Sequence, residues 1–424
     1  MNDYWTGAAV AVVAIAVVAF LIVVIWSIRR HRDPEMKVEC AWPIDDLIPT
    51  LAGLSLSTPV AGNTVDVVQN GAYFDVVVEE IGAAKESVHF ETFLWSDGVA
   101  GRRVADALSA QARAGRQVRV LLDAVGSKKV GEAVVKQMRD AGCQVYMFHP
   151  RSLKNVGVYN DRDHRKQLIV DGRVAILGGH CVVDTWLGDA QDKEHYADVS
   201  VRVRGPIVNT IQGCFSENWA GTTGEMFAGE DVFPRLDPVG DVTIHAAFAK
   251  PEGSAPAVKI LHHAIICFAR KRLWIQNPYF IPEPEAVEAF GRAVARGVDV
   301  RVMMPSTGGS DNPMVQHAGH RNFEKLLRCG VRLFEYPHTL LHQKTMTVDG
   351  VWSAVGSCNF DDRSFETNDE ITLGIYDPAT SKRLEEIFES FAPECREIKL
   401  EEWQKRGLRH KLIDQMYYTI NEIL

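Results

Sequence analysis

A pattern that occurs twice in one chain limits its fold more than composition does. The chain carries His164-Arg165-Lys166-Gln167-Leu168-Ile169-Val170-Asp171 and, about 180 residues later, His342-Gln343-Lys344-Thr345-Met346-Thr347-Val348-Asp349. Both read His-x-Lys-x4-Asp. Both run through an apolar stretch into small residues, Gly178-Gly179 in the first copy and Gly356-Ser357-Cys358-Asn359 in the second. In an extended strand residues i and i+2 point the same way, so this spacing predicts His and Lys on one face. A lone histidine on a strand is usually structural. Two copies in the same context point to one shared site. Lysine supplies fixed positive charge and histidine titrates near neutrality, a pairing suited to a phosphodiester. Lysine is not a usual metal ligand, and neither copy has the spaced His/Cys pairs of a zinc site, so no metal is expected.

The segments around the two copies replay one another. In the first half, helices are predicted at Phe74–Ala83, Gly101–Ala114 and Val130–Ala141, alternating with strands at Ser87–Leu94, Gln117–Leu122 and Gln144–Phe148. In the second, strands at Leu273–Gln276, Val298–Met303 and Val331–Glu335 alternate with helices at Glu283–Ala295 and His320–Cys329. Such alternation implies an α/β sheet with helices on its faces. The repeat is far longer than the ~20–50 residues of a solenoid unit, so it marks duplicated domains. We place them at 63–220 and 241–395, with a connector at 33–62, a Gly/Pro/Asp-rich linker at 221–240 and a C-terminal tail at 396–424.

Ala8–Trp26 is 19 residues without a polar side chain. As a helix at ~1.5 Å per residue it would span ~28 Å, close to a hydrocarbon core. Trp5 and Trp26 flank it, and Arg29, Arg30 and Arg32 follow it. It therefore reads as a single membrane span with the N-terminus outside and the rest in the cytoplasm. Trp403, Leu408, Leu412, Ile413 and Met416, mixed with Lys405, Arg406, Arg409 and Lys411, read equally as a membrane-lying helix or one packed on the body. The net charge of -9 argues against nucleic acid as main partner. Eight scattered cysteines with no Cys-x-x-Cys pair read as reduced thiols.

Glu91, Asp123 with Gly126-Ser127, Pro278-Tyr279-Phe280-Ile281-Pro282 and Asp361-Asp362-Arg363-Ser364-Phe365 stand in order around the paired motifs. With them the chain resembles the phospholipase D superfamily from Val65 to Phe391, and within it the bacterial cardiolipin synthases. The resemblance implies two phospholipase D-like domains, each a mixed β-sheet flanked by helices, related by a pseudo-two-fold axis and sharing one site. It makes His164, Lys166 and Asp171, with His342, Lys344 and Asp349, the catalytic motif. Asp171 and Asp349, at the strand-to-turn end, read as structural members of it. Asp198 and Glu370 fit the place of the acids that orient the imidazoles. Ser357 and Asn359 help hold the phosphate, and Glu91 joins the substrate-orienting set. Repeat one departs at Gly179 and Cys181, where repeat two has Ser357 and Asn359.

The implied reaction joins two phosphatidylglycerols into cardiolipin and glycerol through a phosphohistidine, with His164 attacking, His342 as acid/base, and no cofactor. Phe280, Ile281 and Trp186 are expected at the rim of the pocket. The implied place is the bacterial cell membrane, with phospholipid as partner and no nucleic acid. Two rival readings stand beside this one: a hydrolase of the same superfamily, acting on lipid or nucleic acid, and a catalytically dead membrane scaffold.

Overall fold

The computed structural model describes residues 7, 10–21, 36, 42–150, 160–250 and 256–419, in two compact units, Met1–Val38 and Glu39–Leu424. In the first unit residues 10–21 form a helix (α1) with its side chains exposed. Among the described residues no helix is long and apolar enough to cross a membrane. The ends of the expected Ala8–Trp26 span lie outside them, as do Cys40 and most of the Arg151–Asp163 loop.

The second unit opens with α2 (Ile48–Leu54) and then runs through two matching halves. The first holds β1 (Val60–Gln69), α3 (Ala72–Gly82), β2 (Ser87–Thr92), α4 (Val99–Arg113), β3 (Gln117–Asp123), α5 (Glu132–Asp140), β4 (Gln144–Phe148), β5 (Arg162–Asp163), β6 (Lys166–Val170), β7 (Val174–Gly178), β8 (Val199–Arg204) and α6 (Val208–Thr223). The second holds β9 (Val242–Ala249), α7 (Ala257–Phe268), β10 (Arg272–Gln276), α8 (Pro284–Ala295), β11 (Asp299–Pro305), α9 (Pro313–Arg328), β12 (Arg332–Tyr336), β13 (Thr345–Val348), β14 (Trp352–Gly356), α10 (Asp362–Glu366), β15 (Asn368–Tyr376) and α11 (Pro378–Phe391). A short β16 (Arg396–Glu397), α12 (Leu400–Gln404) and α13 (Leu408–Thr419) close the chain.

The strands lie side by side in the order β16-β12-β11-β10-β13-β14-β15-β9-β1-β8-β7-β6-β2-β3-β4. Read outward from the β9–β1 seam, both halves give the same succession, which is the signature of a duplicated sheet about a two-fold. Parallel pairs (β2–β3, β3–β4, β10–β11, β11–β12) come from strand–helix–strand crossovers, while the motif strands pair antiparallel. β2, β6, β13 and β14 are buried along their whole length. Helices therefore cover both faces, as expected for a sheet with parallel strands.

The seam strands β1 and β9 are absent from the sequence reading. β1 carries Gly62, Asn63 and Asp66, and its pairing with β9 shifts register between Val60 and Asn63. Asn63 compensates: its amide donates to Val60 O (2.7 Å) and Val242 O (3.1 Å), and its Oδ1 accepts from Ile207 N (3.0 Å). A bulge of this kind is a pinned feature, not a defect. The expected connector is partly folded as well, with Leu51 and Ala52 of α2 fully buried and Ser57 reaching His245 of β9 at 3.2 Å.

One apolar core belongs to the first half: Phe74, Val104, Leu108, Val120 and Leu168 between β2, β3, β6 and their helices. A second joins the halves, running from Ile169, Val201 and Phe215 through Ile244 to Leu373 and Phe388. The two motif segments therefore sit on one continuous, buried scaffold.

Candidate active site

Neither motif histidine lies in a strand. His164 precedes β6, and both His342 and Lys344 precede β13. What puts His and Lys together is a fold-back: Lys166 Nζ donates to the carbonyl of His164, and Lys344 Nζ donates to that of His342 (2.7 Å). This corrects the strand-alternation argument while keeping its outcome.

The leg entering each motif pairs with the other half of the chain. β5 pairs in parallel with β15, and His164 N donates to Asp369 O (3.0 Å). In the second copy Leu341 bridges to Ala197, and His342 N donates to Ala197 O (2.7 Å). Each histidine thereby lands beside an acid of the opposite half. His164 Nδ1 donates to Glu370 Oε1 at 2.8 Å, and His342 Nδ1 to Asp198 Oδ2 at 2.7 Å. Both acids are fully buried, and both imidazoles are under 10 % exposed. With Nδ1 committed, Nε2 is the reactive nitrogen of each ring. Lys344 Nζ also lies within hydrogen-bond reach of His342 Nε2 (2.9 Å), whereas among the described residues no lysine stands so at His164 Nε2.

The four groups share one electrostatic environment. Burial pushes His164 well below the ordinary histidine value, and Lys166, Lys344 and His342 push it the same way. Burial and Lys344 lower His342 too, but Asp198 opposes them. Burial pulls Lys344 down to about 8. The acids diverge. Burial works to raise Asp198, yet His342, His180 and Lys344 together hold it at about 2. Burial lifts Glu370 to about 7 against the pull of Lys166 and its hydrogen bonds.

The small-residue turns behind the motifs explain part of that contrast. In the second half Ser357 Oγ donates to Glu370 Oε2 and accepts from Ile371 N (3.1 Å). In the first half Gly179 takes that place, and a Cβ there would lie 2.2 Å from Asp198 Oδ1. Asp198 therefore packs directly on the turn, and Trp186 Nε1 supplies the hydrogen bond instead (2.7 Å). The Trp186 indole also stands edge-on to His342 at 5.1 Å, and Phe93 stands similarly to His164 at 4.9 Å. Trp186, Phe280 and Ile281 are each 3 % exposed, so none forms the expected rim; Trp186 stands against His342, while Phe280 packs on Phe360 and Ile281 on Val315 and Ala318. Asn359 is nearly buried, with no partner for its Oδ1 among the described residues, while the Cys181 thiol lies 3.9 Å from Gly179 O.

Three expected residues stand away from the imidazoles. Asp171 accepts from the backbone N–H groups of Lys85, Glu86 and Ser87, and Asp349 from those of Arg270, Lys271 and Arg272. Both have left-handed backbone, φ 53° and 55°, which aspartate tolerates in turns. They anchor the loop before the first central strand of each half. Glu91 pairs across strands with Gln167, on the face opposite Lys166, and bonds Gln167 Nε2 and Asn218 Nδ2. Its carboxyl lies against Asp163, whose own carboxyl burial and Glu91 push well above the usual range. Glu91 thus supports the motif from behind and does not line the site.

The family description "cardiolipin synthase, PLD-like domain" matches residues 77–186 and 263–392. Cardiolipin synthase 2 of Bacillus anthracis is 30 % identical over 94 % of this chain and 76 % of its own length. Cardiolipin synthase A of Pseudomonas putida is 34 % identical over 86 % of this chain and 76 % of its own. Among solved structures, phosphatidylserine synthase of Haemophilus influenzae shares the fold, with a TM-score of 0.63, 14 % identity, and coverage of 85 % of this chain and 95 % of that one.

Proposed function

From the premise that the chain belongs to the cardiolipin synthase family of phospholipase D-like proteins, we propose that it is a phosphatidyltransferase joining two phosphatidylglycerols into cardiolipin and free glycerol. The observation that carries the reading is the crossed pair His164–Glu370 and His342–Asp198, which makes one two-imidazole, two-lysine site from both halves.

His164 Nε2 attacks the phosphorus of the first phosphatidylglycerol. It is the ring held furthest toward the neutral form, and its Nε2 is not occupied by lysine. As the P–O bond to the headgroup glycerol breaks, His342 Nε2 gives that oxygen a proton and glycerol leaves. The terminal hydroxyl of the second lipid's glycerol then attacks phosphorus. Its proton passes to His342, the N–P bond breaks, and His164 is regenerated. Asp198, ionised across the working range, stabilises the imidazolium form of His342 before glycerol leaves and again after the acceptor has given up its proton. Lys166 and Lys344 meet the charge on the non-bridging oxygens. Asn359, with its unpartnered Oδ1 and an amide beside it, is a candidate contact for the lipid headgroup.

The apolar Ala8–Trp26 stretch is read as the anchor that keeps the catalytic halves at the cytoplasmic face of the bacterial membrane, where acceptor lipid is concentrated. The test is product analysis. Purified protein with phosphatidylglycerol in mixed micelles should form cardiolipin and glycerol in equal amounts. Excess glycerol should drive the reaction backwards. Phosphatidic acid as the main product at every lipid concentration would replace transfer by hydrolysis.

A further inference from the structure

Catalysis leaves unused the surface where α12 and α13 lie along α9. A cleft of about 400 Å³ opens there, lined by Arg321, Lys325 and Arg328 of α9 and by Trp403, Arg406 and Lys411 of the C-terminal segment. Its two carboxylates are already engaged. Asp414, 2 % exposed, accepts from Arg406 (2.7 Å) and His317 (2.8 Å) and lies 3.7 Å from His320. Glu324 pairs with Arg328 at 2.8 Å. Arg321, Lys325 and Lys411 face the cleft without a salt bridge among the described residues: Arg321 bonds the Gln415 amide oxygen, and Lys411 donates to Gln404 O (3.3 Å) and feels Glu324 at a distance.

Beside the cleft runs an apolar row. Leu408, Leu412 and Met416 are 73 %, 62 % and 54 % exposed. They recur every fourth residue and so stand one above the other on α13. Lys411 and Gln415 line the cleft one position before Leu412 and Met416, so cleft and row adjoin; Arg409 borders the row's other side. Single exposed apolar side chains are ordinary, but a row of three rimmed by cations marks an interaction face. The helix bearing it is firmly seated. Asp414 pins it to α9, Tyr417 stacks on His317, and Tyr417 with Tyr418 packs on Ile281, Val315 and Ala318. Ile281 N in turn donates to Phe360 O at 2.8 Å, so the segment under α13 is tied to the turn that follows the second motif.

We propose that this face docks on the bilayer through an anionic phospholipid, its headgroup phosphate in the basic cleft and the Leu408–Leu412–Met416 row in the acyl boundary. Cations outside any salt bridge, directly beside an apolar row, complement such a lipid in both its parts, as in helices that lie in a membrane interface. This deepens the reading that the substrate is an anionic phospholipid: the docked lipid would seat the catalytic body on its own substrate pool.

The experiment is hydrogen exchange by mass spectrometry on the full chain carrying His164→Ala, so that no lipid is consumed. The protein is held in nanodiscs of phosphatidylcholine, with or without one-third phosphatidylglycerol. In both discs the N-terminal segment meets a bilayer, so the comparison isolates the anionic headgroup. Phosphatidylglycerol should slow exchange several-fold in the α9 and α12–α13 peptides and leave α4 unchanged. Arg321→Glu with Lys325→Glu should erase that protection, as should Leu408→Gln with Leu412→Gln. Equal exchange in both discs overturns the proposal. So does equal protection by inorganic phosphate in detergent, which would mark an anion site without a lipid, and so does protection that survives the charge reversals. Turnover is not read, so a chain that hydrolysed phosphatidylglycerol would still dock, and a chain that failed to dock would leave the product assay standing.

Discussion

The two halves of the site share one strand order and one motif, yet they hold their histidines differently. His342 faces an aspartate kept at about 2, wedged against Gly179 and bonded by Trp186. His164 faces a longer glutamate lifted to about 7 and held by Ser357. A two-fold scaffold with identical acids would give two equivalent imidazoles, and a mechanism needing one neutral base and one proton carrier would have no way to choose. The exchange of acid and turn residue breaks the symmetry. The neutral ring is favoured at His164, and an imidazolium is best supported at His342.

The severest way to break this comparison is to remove one ring at a time. His164→Ala and His342→Ala should each lower kcat on the order of 10³-fold or more, and the double variant should fall no further, because the rings act as one unit. Half-activity in each single variant would mean two independent sites. Phosphate trapped on His342 in place of His164 would reverse the roles.

The next test sharpens the asymmetry. Asp198→Asn should cost on the order of 10²- to 10³-fold, within the range that a positioned acid–base group contributes. Glu370→Gln should cost less near neutral pH. The sign follows from the two acids. Glu370 is protonated below about 7 and ionised above it, so the penalty of Glu370→Gln should grow as pH rises through about 7. Asp198 is ionised throughout, so the penalty of Asp198→Asn should stay flat. Parallel ratios of kcat against pH for both variants would leave the two halves electrostatically equal.

A gentler probe is the wild-type pH profile. Activity should rise as His164 loses its proton, well below the ordinary histidine value, and fall in two stages, first as His342, lowered by burial but held up by Asp198, loses the proton it must give, and then as Lys344 loses its own near about 8. Arginine does not deprotonate in this range, so Lys344→Arg should move the second stage upward even if its rate is reduced. An unmoved second stage would assign it to another group.

How much of this could be read beforehand follows the range of each signal. His164 and Lys166, like His342 and Lys344, are two residues apart, so local spacing announced them. Asp198 and Glu370 were placed by resemblance, but nothing local says that each serves the other half. That depends on the β5–β15 pairing and the Ala197–Leu341 bridge, contacts between residues far apart in the chain. The seam strands were missed because Gly62, Asn63 and Asp66 interrupt β1 and the alanines of β9 give it little β character. Tertiary pairing overrides such weak propensity. Trp186 was misplaced for a related reason. Its sequence neighbourhood is an irregular loop, which suggests a rim, while its indole N–H is what Asp198 needs in place of a serine.

The smallest expected effect lies where the turns differ most in chemistry. Asn359 and Cys181 hold equivalent places after their motifs. Asn359 keeps residual exposure, and its Nδ2 can donate to a phosphate oxygen while Oδ1, without a partner among the described residues, accepts from a headgroup hydroxyl, so Asn359→Ala should raise KM for phosphatidylglycerol by about tenfold, the worth of one hydrogen bond to a charged group. Cys181 is fully buried in the first-half core, and its thiol is a weak donor lying 3.9 Å from Gly179 O. Cys181→Ala should therefore leave KM within about twofold and cost about 1 kcal/mol of stability, the loss of a small buried group. Cys181→Asn is the discriminating partner. If the first half had merely lost a phosphate contact, the added amide would lower KM. The space is closed, however: Gly179 already abuts Asp198, and Val182 and Trp95 are fully buried beside Cys181. The amide should instead crowd the turn and push Asp198 off His342, lowering kcat and stability together. A Cys181→Asn enzyme with tighter KM and unchanged kcat would show that the halves can be made alike, and that the asymmetry at the turn is incidental to the reaction.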